Sequence, residues 1–249
     1  MLFRSVNLCR SIVELPGIRD LSLTTNGVLL ADMADELRAA GVRRVNISLD
    51  SLNPAKFAEI TRGGDLERVL LGIRRALEAG LHPVKLNVVL IGGFNDSEIA
   101  DFVGLTMFYP IEVRFIELMP IGEGASYWQS GYLPNSAVLD AVPELLPELV
   151  QAKGGVARLY AVPGAPGRVG LINPISGHFC AECNRLRLTA DGKLRPCLHS
   201  DTEISVRGLH RKELEDAILA AVEAKPRRRQ DLSGESPSEA GRGMSQIGG

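Results

Sequence analysis

The stretch "RRVNISLDSLNPAKFAEITRGGDLERVLLGIRRALEAGLHPVKLNVVL", residues 43–90, decides the fold that the sequence predicts. It begins and ends with short segments in which apolar and polar residues alternate, a pattern typical of strands. Between them, apolar residues recur at helical spacing from Asp65, a residue type that caps helix N-termini, to Gly80, a residue type that ends helices. A strand, a helix and a second strand joined by short links predict a parallel βα unit with a right-handed crossover.

The same alternation continues on both sides of this stretch. Two further strands are predicted at 20–26 and 111–120, and two further helices at 30–41 and 95–108. The repeated order of strand and helix predicts an α/β fold with a parallel sheet.

One face of each predicted strand is polar. Asn46, Ser48 and Asp50 alternate with apolar residues in the second strand, and Lys85 and Asn87 do so in the third. Parallel strands that are covered on both faces usually read as continuous apolar runs. An antiparallel sheet with one face in water is an alternative, but the intervening helices favour a partial, incomplete TIM-like βα barrel with a polar interior. Its ligand site would lie at the C-terminal ends of the strands.

The pattern changes after residue 120. Glycine and proline interrupt residues 121–149, two strands around a Pro/Gly loop are predicted within 156–176, and an amphipathic helix is predicted within 212–226. In that helix Leu214, Ile218 and Val222 share one stripe. We therefore expect three regions, which are a partial barrel (1–120), a C-terminal region with a small antiparallel element (121–226) and a Gly-rich tail (227–249). The composition of the tail is typical of disorder.

Composition narrows the function classes. The 249 residues are 45% hydrophobic and 23% charged, with a net charge of −2, which gives no general attraction to nucleic acid or membranes. No apolar run approaches the roughly 18 residues of a membrane span, and the start does not resemble a signal peptide. We expect a cytoplasmic protein, and in that reducing compartment closely spaced cysteines indicate a metal site rather than disulfides.

Three of the four cysteines lie in "FCAECNRLRLTADGKLRPC", residues 179–197. Cys180 and Cys183 form a C-x2-C pair, and Cys197 follows after thirteen residues. One interpretation is a zinc site completed by His178 or His199. Another is an iron–sulfur cluster on three cysteines, which leaves one iron free to bind a group that is not protein. Three buried free thiols are a further alternative.

Two arginines lie between these cysteines. Arg185 and Arg187 alternate with Leu186 and Leu188, so we expect both guanidinium groups on the same side of one strand. Arginine is suited to bidentate binding of phosphate, whereas a solvated strand face is the alternative interpretation.

Several segments together resemble the GTP 3′,8-cyclase family of molybdenum cofactor biosynthesis. The resemblance runs from about residue 11 to Gly249. The cysteine segment and the C-terminal Gly-Gly are specific to that family, while the strands are shared by many radical enzymes. The segments that carry it are "LSLTTNGVLL" (21–30), "VNISLDSL" (45–52), "ITRGGDLERVLLGI" (60–73), "VKLNVVLIGGFND" (84–96), "VRFIELMPIGEG" (113–124), "FCAECNRLRLTADGKLRPCLHSD" (179–201) and "MSQIGG" (244–249).

The resemblance implies a radical S-adenosylmethionine (SAM) lyase with two 4Fe–4S clusters. Such an enzyme uses a 5′-deoxyadenosyl radical to convert GTP to the 3′,8-cyclised precursor of cyclic pyranopterin monophosphate. By resemblance, Cys180, Cys183 and Cys197 hold the cluster whose open iron binds the guanine base. The implied partners are GTP, SAM and cyclic pyranopterin monophosphate synthase, with a homodimer among the assemblies that the resemblance allows.

The resemblance also implies three sets of contact residues. The residues implied to contact GTP are Thr24, Lys85, Arg185, Leu186 and Arg187. The residues implied to contact SAM or to line its pocket are Ser48, Met119 and Arg114. The tail residues implied to reach the active site are Gly248 and Gly249.

The sequence also departs from the family pattern. It lacks the N-terminal C-x3-C-x2-C motif that holds the radical-generating cluster, the first two strands and the Gly-Gly-Glu-Pro stretch that follows them. Cys9 has no partners at that spacing, and we interpret it as a core thiol. Residues 1–20 start directly in helical spacing. We therefore expect that the chain begins inside a longer protein and is inactive alone, and we assign no catalytic residue. The alternatives are a zinc-stabilised nucleotide-binding protein and a non-catalytic fragment that binds a partner.

Overall fold

The computed structural model describes residues 2–149, 155–177, 180, 183–228, 231–233, 236, 238–243 and 246. The predictions for His178, Gly248 and Gly249 concern residues outside these ranges. No helix in the part of the chain that the structure describes is long and apolar enough to cross a membrane.

Helices and strands alternate through the first half of the chain. The helices are α1 (Leu2–Val13), α2 (Leu30–Ala39), α3 (Pro54–Ile60), α4 (Leu66–Glu78), α5 (Ile99–Phe108), α6 (Gly124–Gly131), α7 (Ser136–Ala141) and α8 (Arg211–Glu223), with a 3₁₀ turn at Asp96–Glu98. The strands are β1 (Ser22–Thr25), β2 (Arg44–Ser48), β3 (Val84–Leu90), β4 (Ile111–Glu117), β5 (Leu146–Pro147), β6 (Arg158–Ala161), β7 (Arg168–Ile172), β8 (Arg187–Leu188), β9 (Lys193–Arg195) and β10 (Ile204–Ser205).

The chain divides into two compact units. The first unit comprises Met1–Ile116, Asn135–Gln151 and Ala157–Ile172, and the second comprises Glu117–Pro134, Ala152–Val156 and Asn173–Gly249. The hairpin predicted within 156–176 forms as β6 and β7, and these strands belong to the first unit. Each compact unit therefore combines three segments that are separate in the sequence.

The first unit is built on a seven-stranded sheet among the described residues, in the order β1-β2-β3-β4-β7-β6-β5. Strands β1, β2 and β3 pair in parallel, and so do β4 and β7, whereas β6 runs antiparallel to both β7 and β5. The α/β prediction with parallel strands is confirmed, and the antiparallel alternative is wrong for β1 to β3. The sheet is open, with β1 and β5 at its two ends, which is consistent with a partial barrel.

The predicted polar and apolar faces of the strands are confirmed. Val45 and Ile47 of β2 are fully buried. In β3 buried residues alternate with half-buried ones along the whole strand. The register aligns Thr24, Asn46 and Lys85 in one row across β1, β2 and β3. One face of the sheet therefore forms the core, and the other carries the polar residues.

Helix α4 forms where residues 43–90 predict it. Asp65 is its N-cap, with Oδ1 accepting a hydrogen bond from the backbone N–H of Arg68 at 3.4 Å. Gly80 follows its end with a φ of +75°, in the left-handed region that favours glycine. Gly72 permits a close approach inside the unit, because a Cβ at that position would lie 2.8 Å from the carbonyl oxygen of Gly27.

The second unit contains a three-stranded antiparallel sheet in the order β10-β9-β8. This sheet is the small antiparallel element that the sequence predicted. Helix α8 contacts β9 and β10. The predicted helix forms, and Leu214, Ile218 and Val222 share one stripe of it, but Ile218 and Val222 are 39% and 49% exposed, while Ala221 is fully buried. The helix buries Ala221 fully and Leu214 partly, whereas Ile218, Leu219 and Val222 are exposed.

Candidate functional site

A buried charge cluster lies on the polar face of the first unit. Glu112 of β4 is 6% exposed and pairs with two cations. Its carboxylate lies 3.1 Å from Lys85 Nζ and 2.5 Å from Arg114 Nε. Burial alone would raise the pKa of Glu112, but Arg114 and Lys85 outweigh burial and hold the pKa below its ordinary value.

The same cluster explains the pKa of Lys85. Burial lowers the pKa of Lys85, and the nearby Arg114 lowers it further, while Glu112 opposes both. Two cations share one carboxylate, so the cluster carries a net positive charge on the polar face. An anion such as a phosphate group would be attracted there, because a half-buried charge is only weakly screened.

Hydroxyl groups lie along the same polar face. Thr24 Oγ1 accepts a hydrogen bond from Asn46 Nδ2 at 3.3 Å, and the Thr24 side chain is otherwise exposed. Ser48 lies two residues further along β2, opposite Asn87 of β3, and is exposed. The first unit thus brings Thr24, Ser48, Lys85 and Arg114 to one face, as the alternation predicted.

The loops that follow β2 and β3 are joined by a carboxylate that the sequence analysis missed. Glu98 is 6% exposed, and its carboxylate accepts hydrogen bonds from Ser51 Oγ at 2.9 Å and from the backbone N–H of Leu52 at 2.6 Å. Lys56 Nζ lies 3.2 Å from the same carboxylate. The only signal in the sequence is an acidic residue just before a helix, which is common and does not identify its partners.

Asn95 makes a second connection between these loops. Its Nδ2 donates to the carbonyl oxygens of Asp50 at 2.7 Å and Val89 at 2.8 Å. Burial raises the pKa of Asp50 to about 6, although the Asp50 carboxylate accepts a hydrogen bond from the Val89 N–H. In βα folds, the loops at the C-terminal ends of parallel strands form the binding sites. The contacts of Glu98 and Asn95 fix two such loops, which border the polar face of the sheet.

Met119 lies in the second unit, in the turn after β4. It is half-buried, and its carbonyl oxygen accepts a hydrogen bond from the Ile121 N–H at 2.8 Å. The neighbouring Glu117 is fully buried and accepts hydrogen bonds from the backbone N–H groups of Ile175 and Ser176, both at 2.9 Å. These bonds fix the chain on either side of Met119.

The four cysteines differ in their surroundings. Cys180, Cys183 and Cys197 are free and half-buried, and the Cys183 N–H donates to the Cys180 carbonyl oxygen at 3.1 Å, which closes a tight turn. Cys9 is buried, and burial raises the pKa of its thiol. The interpretation of Cys9 as a core thiol is confirmed.

Arg187 lies beside two of these cysteines. Burial lowers its pKa and Arg185 adds to the lowering, whereas the adjacent Cys183 and Cys197 oppose it. Strand β8 begins at Arg187, so Arg185 and Leu186 precede it, and Arg185 is exposed. The prediction that one strand carries both arginines is therefore wrong. Of these two arginines, Arg187 is the half-buried one next to the thiols, and Arg185 is exposed.

The donor set fits an iron–sulfur cluster in its chemistry. Three free thiols are the usual protein ligands of such clusters, and Arg187 can balance the negative charge of thiolate ligands. No group of three or more His, Cys, Asp or Glu side chains among the described residues could hold a metal ion as it stands. The thiols would therefore have to converge around a cluster. His199, the described histidine of the zinc alternative, lies with Nδ1 3.1 Å from Ser238 Oγ.

An ion-pair network fixes part of the tail within the second unit. Glu203 accepts hydrogen bonds from Lys193 and Arg195 and also from Arg242, which pairs with Asp191 as well. Hydrogen bonds from Arg242 and Lys193 lower the pKa of Glu203 to about 2. Residues 238–243 are thus anchored, unlike the disorder that their composition indicates.

Two family models match the chain. The model of the Radical SAM superfamily matches residues 2–106, and the model described as Molybdenum Cofactor Synthesis C matches residues 111–231. The two matches together cover nearly the whole chain.

Curated relatives match over almost the same length. A protein named GTP 3′,8-cyclase from Alkaliphilus oremlandii is 51% identical over 247 residues, which are 98% of this chain and 77% of the relative. Proteins of the same name from Alkaliphilus metalliredigens and Heliobacterium modesticaldum are 49% and 52% identical. Those two matches cover 98% and 96% of this chain, and 77% and 75% of the respective relatives.

Proposed function

Because this chain belongs to the GTP 3′,8-cyclase family of radical SAM enzymes, we propose that it serves the conversion of GTP by 5′-deoxyadenosyl radical chemistry in molybdenum cofactor biosynthesis. Its 249 residues would contribute the GTP-binding part of the site. The product would be the 3′,8-cyclised precursor of cyclic pyranopterin monophosphate. The observation that carries this proposal is the identity of 51% over 98% of the chain. Cyclic pyranopterin monophosphate synthase would be the pathway partner, and a homodimer would be the assembly to test.

We assign Cys180, Cys183 and Cys197 as the ligands of a 4Fe–4S cluster. With three protein ligands, such a cluster supplies one open iron that can coordinate the guanine base. The support for this assignment is the free state of the three thiols, their partial burial and the guanidinium group of Arg187 beside two of them.

Cationic residues in both units would bind GTP. In the second unit, Arg187 and Arg185 would bind phosphate oxygens, with Leu186 in contact between them. In the first unit, Lys85 would donate to a phosphate oxygen and Thr24 would offer its hydroxyl group. Arg187 and Lys85 are both partly buried, and a desolvated cation binds phosphate more strongly than one in water.

A second set of residues would bind SAM. Ser48 offers an exposed hydroxyl group, Arg114 offers a guanidinium group already oriented by Glu112, and Met119 offers an apolar thioether held in a fixed turn. Gly248 and Gly249 would reach the active site from a tail that Arg242 anchors. The functional regions would be the partial barrel (1–120), the cluster-binding region (121–226) and the tail (227–249).

The 249 residues contain no second set of three cysteines that could hold the radical-generating cluster of the family. Beyond the three cysteines assigned above, the sequence contains only Cys9, and its thiol is buried. We expect the 249 residues alone to bind GTP but not to cleave SAM. The measurement is 5′-deoxyadenosine formation after reconstitution and reduction with dithionite, and product above the no-protein control would contradict this expectation.

The cluster assignment is tested by metal content. We expect the anaerobically purified and reconstituted protein to be brown and to contain iron. Cys183→Ser should lose most of that iron, whereas the matched Cys9→Ser variant should keep it, because Cys9 lies in the core. Equal iron contents in the two variants would remove the assignment. A colourless protein with one zinc per chain would support the zinc-stabilised nucleotide-binding alternative instead.

A further inference from the structure

Lys225 follows Ala224, the C-cap of α8, and connects the C-x2-C end of the cysteine segment with the residues just before Cys197. Its Nζ donates to the carbonyl oxygens of Arg185 at 2.7 Å and Pro196 at 3.1 Å, and to Cys183 Sγ at 3.7 Å. A lysine ammonium group has three N–H donors, so these three acceptors use all of them. Pro196 immediately precedes Cys197, and the other two acceptors belong to the C-x2-C end of the segment.

The surroundings of Lys225 differ from those of an ordinary surface lysine. Lys212 on the same helix is 84% exposed in its side chain and pairs with Asp216 at 3.3 Å. Lys225 is half-buried, and its partners among the described residues are two carbonyl groups and one thiol rather than a carboxylate. No acidic side chain among the residues that the structure describes therefore neutralises its positive charge. The C-terminal end of α8 next to it favours a cation at this position.

We propose that Lys225 is a positioning residue of the cysteine site, which holds Cys183 and the backbone before Cys197 together and places a positive charge beside the Cys183 sulfur. This inference rests on the proposed cluster site. The contacts with Arg185 and Pro196 connect the two arms of the segment through one side chain. The N–H group directed at Cys183 Sγ would become a hydrogen bond to a cluster ligand.

Two measurable properties follow from these contacts. Residues that orient metal ligands typically contribute about 10- to 100-fold to metal affinity, so loss of Lys225 should speed the release of iron. Hydrogen bonds and positive charge at ligand sulfurs favour the reduced cluster, so loss of Lys225 should make its reduction potential more negative. A residue that serves the fold alone would not shift the potential.

The experiment compares three substitutions in the reconstituted full chain. Lys225→Met removes the charge and all three donors, Lys225→Gln keeps a donor without the charge, and Lys225→Arg keeps the charge. Lys212→Met is the matched control on the same helix. The readouts are the rate of iron transfer to a chelator and the midpoint potential from a redox titration followed by electron paramagnetic resonance.

We expect Lys225→Met to release iron about tenfold faster than the parent protein and to have a more negative potential. Lys225→Gln should show the same shift in potential, while Lys225→Arg should have the potential of the parent protein. Lys212→Met should match the parent in both readouts. If Lys225→Met does not fold, the Gln and Arg variants give the same comparison of charge.

The outcomes separate this inference from the cluster assignment. If Cys183→Ser keeps its iron, the cluster site itself is wrong. If Cys183→Ser loses iron while Lys225→Met behaves like Lys212→Met, the cluster site stands and the role of Lys225 is overturned. Faster iron release in Lys225→Met with an unchanged potential would also overturn it, because a structural contact alone would explain that result.

Discussion

The polar face of the first unit and the cysteine segment of the second unit present their functional groups in different ways. Lys85, Glu112 and Arg114 project from regular strands and are already paired with one another. In the described part of the cysteine segment the strands are the two-residue β8 and the three-residue β9, and the thiols there form no metal-binding group. The first region is organised by the protein before a ligand binds, whereas the second would be completed by its cluster.

The comparison also separates two roles for buried charge. In the first unit the carboxylate of Glu112 is the centre, and cations surround it. In the second unit the cations Arg187 and Lys225 lie beside thiols that can become anionic ligands. Removing Glu112 should therefore destabilise the fold of the first unit. Removing Arg187 or Lys225 should instead change the binding of GTP or of the cluster in the second unit.

The largest expected effect on stability comes from Glu112→Ala. This substitution leaves Lys85 and Arg114 partly buried without their carboxylate, which typically costs about 3 kcal/mol in the free energy of unfolding. The measurement is denaturation by urea at neutral pH. The matched control is Asp35→Ala, which breaks an exposed pair with Arg75 and should change stability by about 0.5 kcal/mol or less. Equal effects of the two substitutions would contradict a special role for the buried cluster.

The pH dependence of stability provides a second test of the same cluster. The pKa of Glu112 is lowered in the folded protein, so its contribution is fully present above its ordinary pKa of 4.5 and is lost as the pH falls through the lower folded value. We expect the stability difference between the parent protein and Glu112→Ala to shrink below pH 4.5. A stability difference that stays constant from pH 7 down to pH 3 would show that ionisation of Glu112 does not contribute to stability.

Much of the first unit could be predicted from the sequence, because its signals are local. Alternation along a strand, Asp65 before α4 and Gly80 after it each depend on residues a few positions apart. The sequence does not predict helix α3 (Pro54–Ile60), because this helix is short and lies in the link between the second strand and helix α4. The sequence predicts a small antiparallel element after residue 120, but strands as short as β8, β9 and β10 leave too few residues for their bounds to be predicted.

The contacts that the sequence could not reveal connect residues far apart in the chain. Glu98 binds the loop at Leu52, Lys225 binds Cys183, and Arg242 binds Glu203. Each of these residues alone looks like an ordinary charged residue in a polar stretch. The composition of residues 227–249 indicated disorder because composition does not record such partners.

Substitution of the two arginines of the cysteine segment should weaken GTP binding by a smaller free energy than Glu112→Ala costs in stability. Arg187→Ala should weaken GTP binding by about ten- to a hundredfold, because a charge-assisted contact contributes roughly 1.5–3 kcal/mol. Arg185→Ala should also weaken it, but by less, since Arg185 is exposed whereas Arg187 is half-buried. The measurement is calorimetric titration with GTP, with iron content as the control for an intact cluster. Unchanged titrations for both variants would show that neither arginine binds GTP and would support the alternative of a solvated strand face.

The smallest effect is expected at the N-terminus of α4. Asp65→Ala removes the acceptor for the Arg68 N–H and should lower the free energy of unfolding by about 1 kcal/mol. Asp65→Asn should retain most of the stability, because its side-chain oxygen can still accept the bond. Calorimetric unfolding of the two variants gives the comparison, and equal losses would show that the charge rather than the cap matters.

We propose above that the cysteine segment holds a cluster whose open iron binds the guanine base of GTP. The most direct measurement is electron–nuclear double resonance on the reduced, reconstituted chain with GTP labelled with nitrogen-15 in the base. We expect a nitrogen-15 coupling that appears on addition of labelled GTP and is absent in Cys183→Ser, which should lack the cluster. A cluster signal that shows no coupling at saturating GTP would show that the guanine base does not bind the open iron.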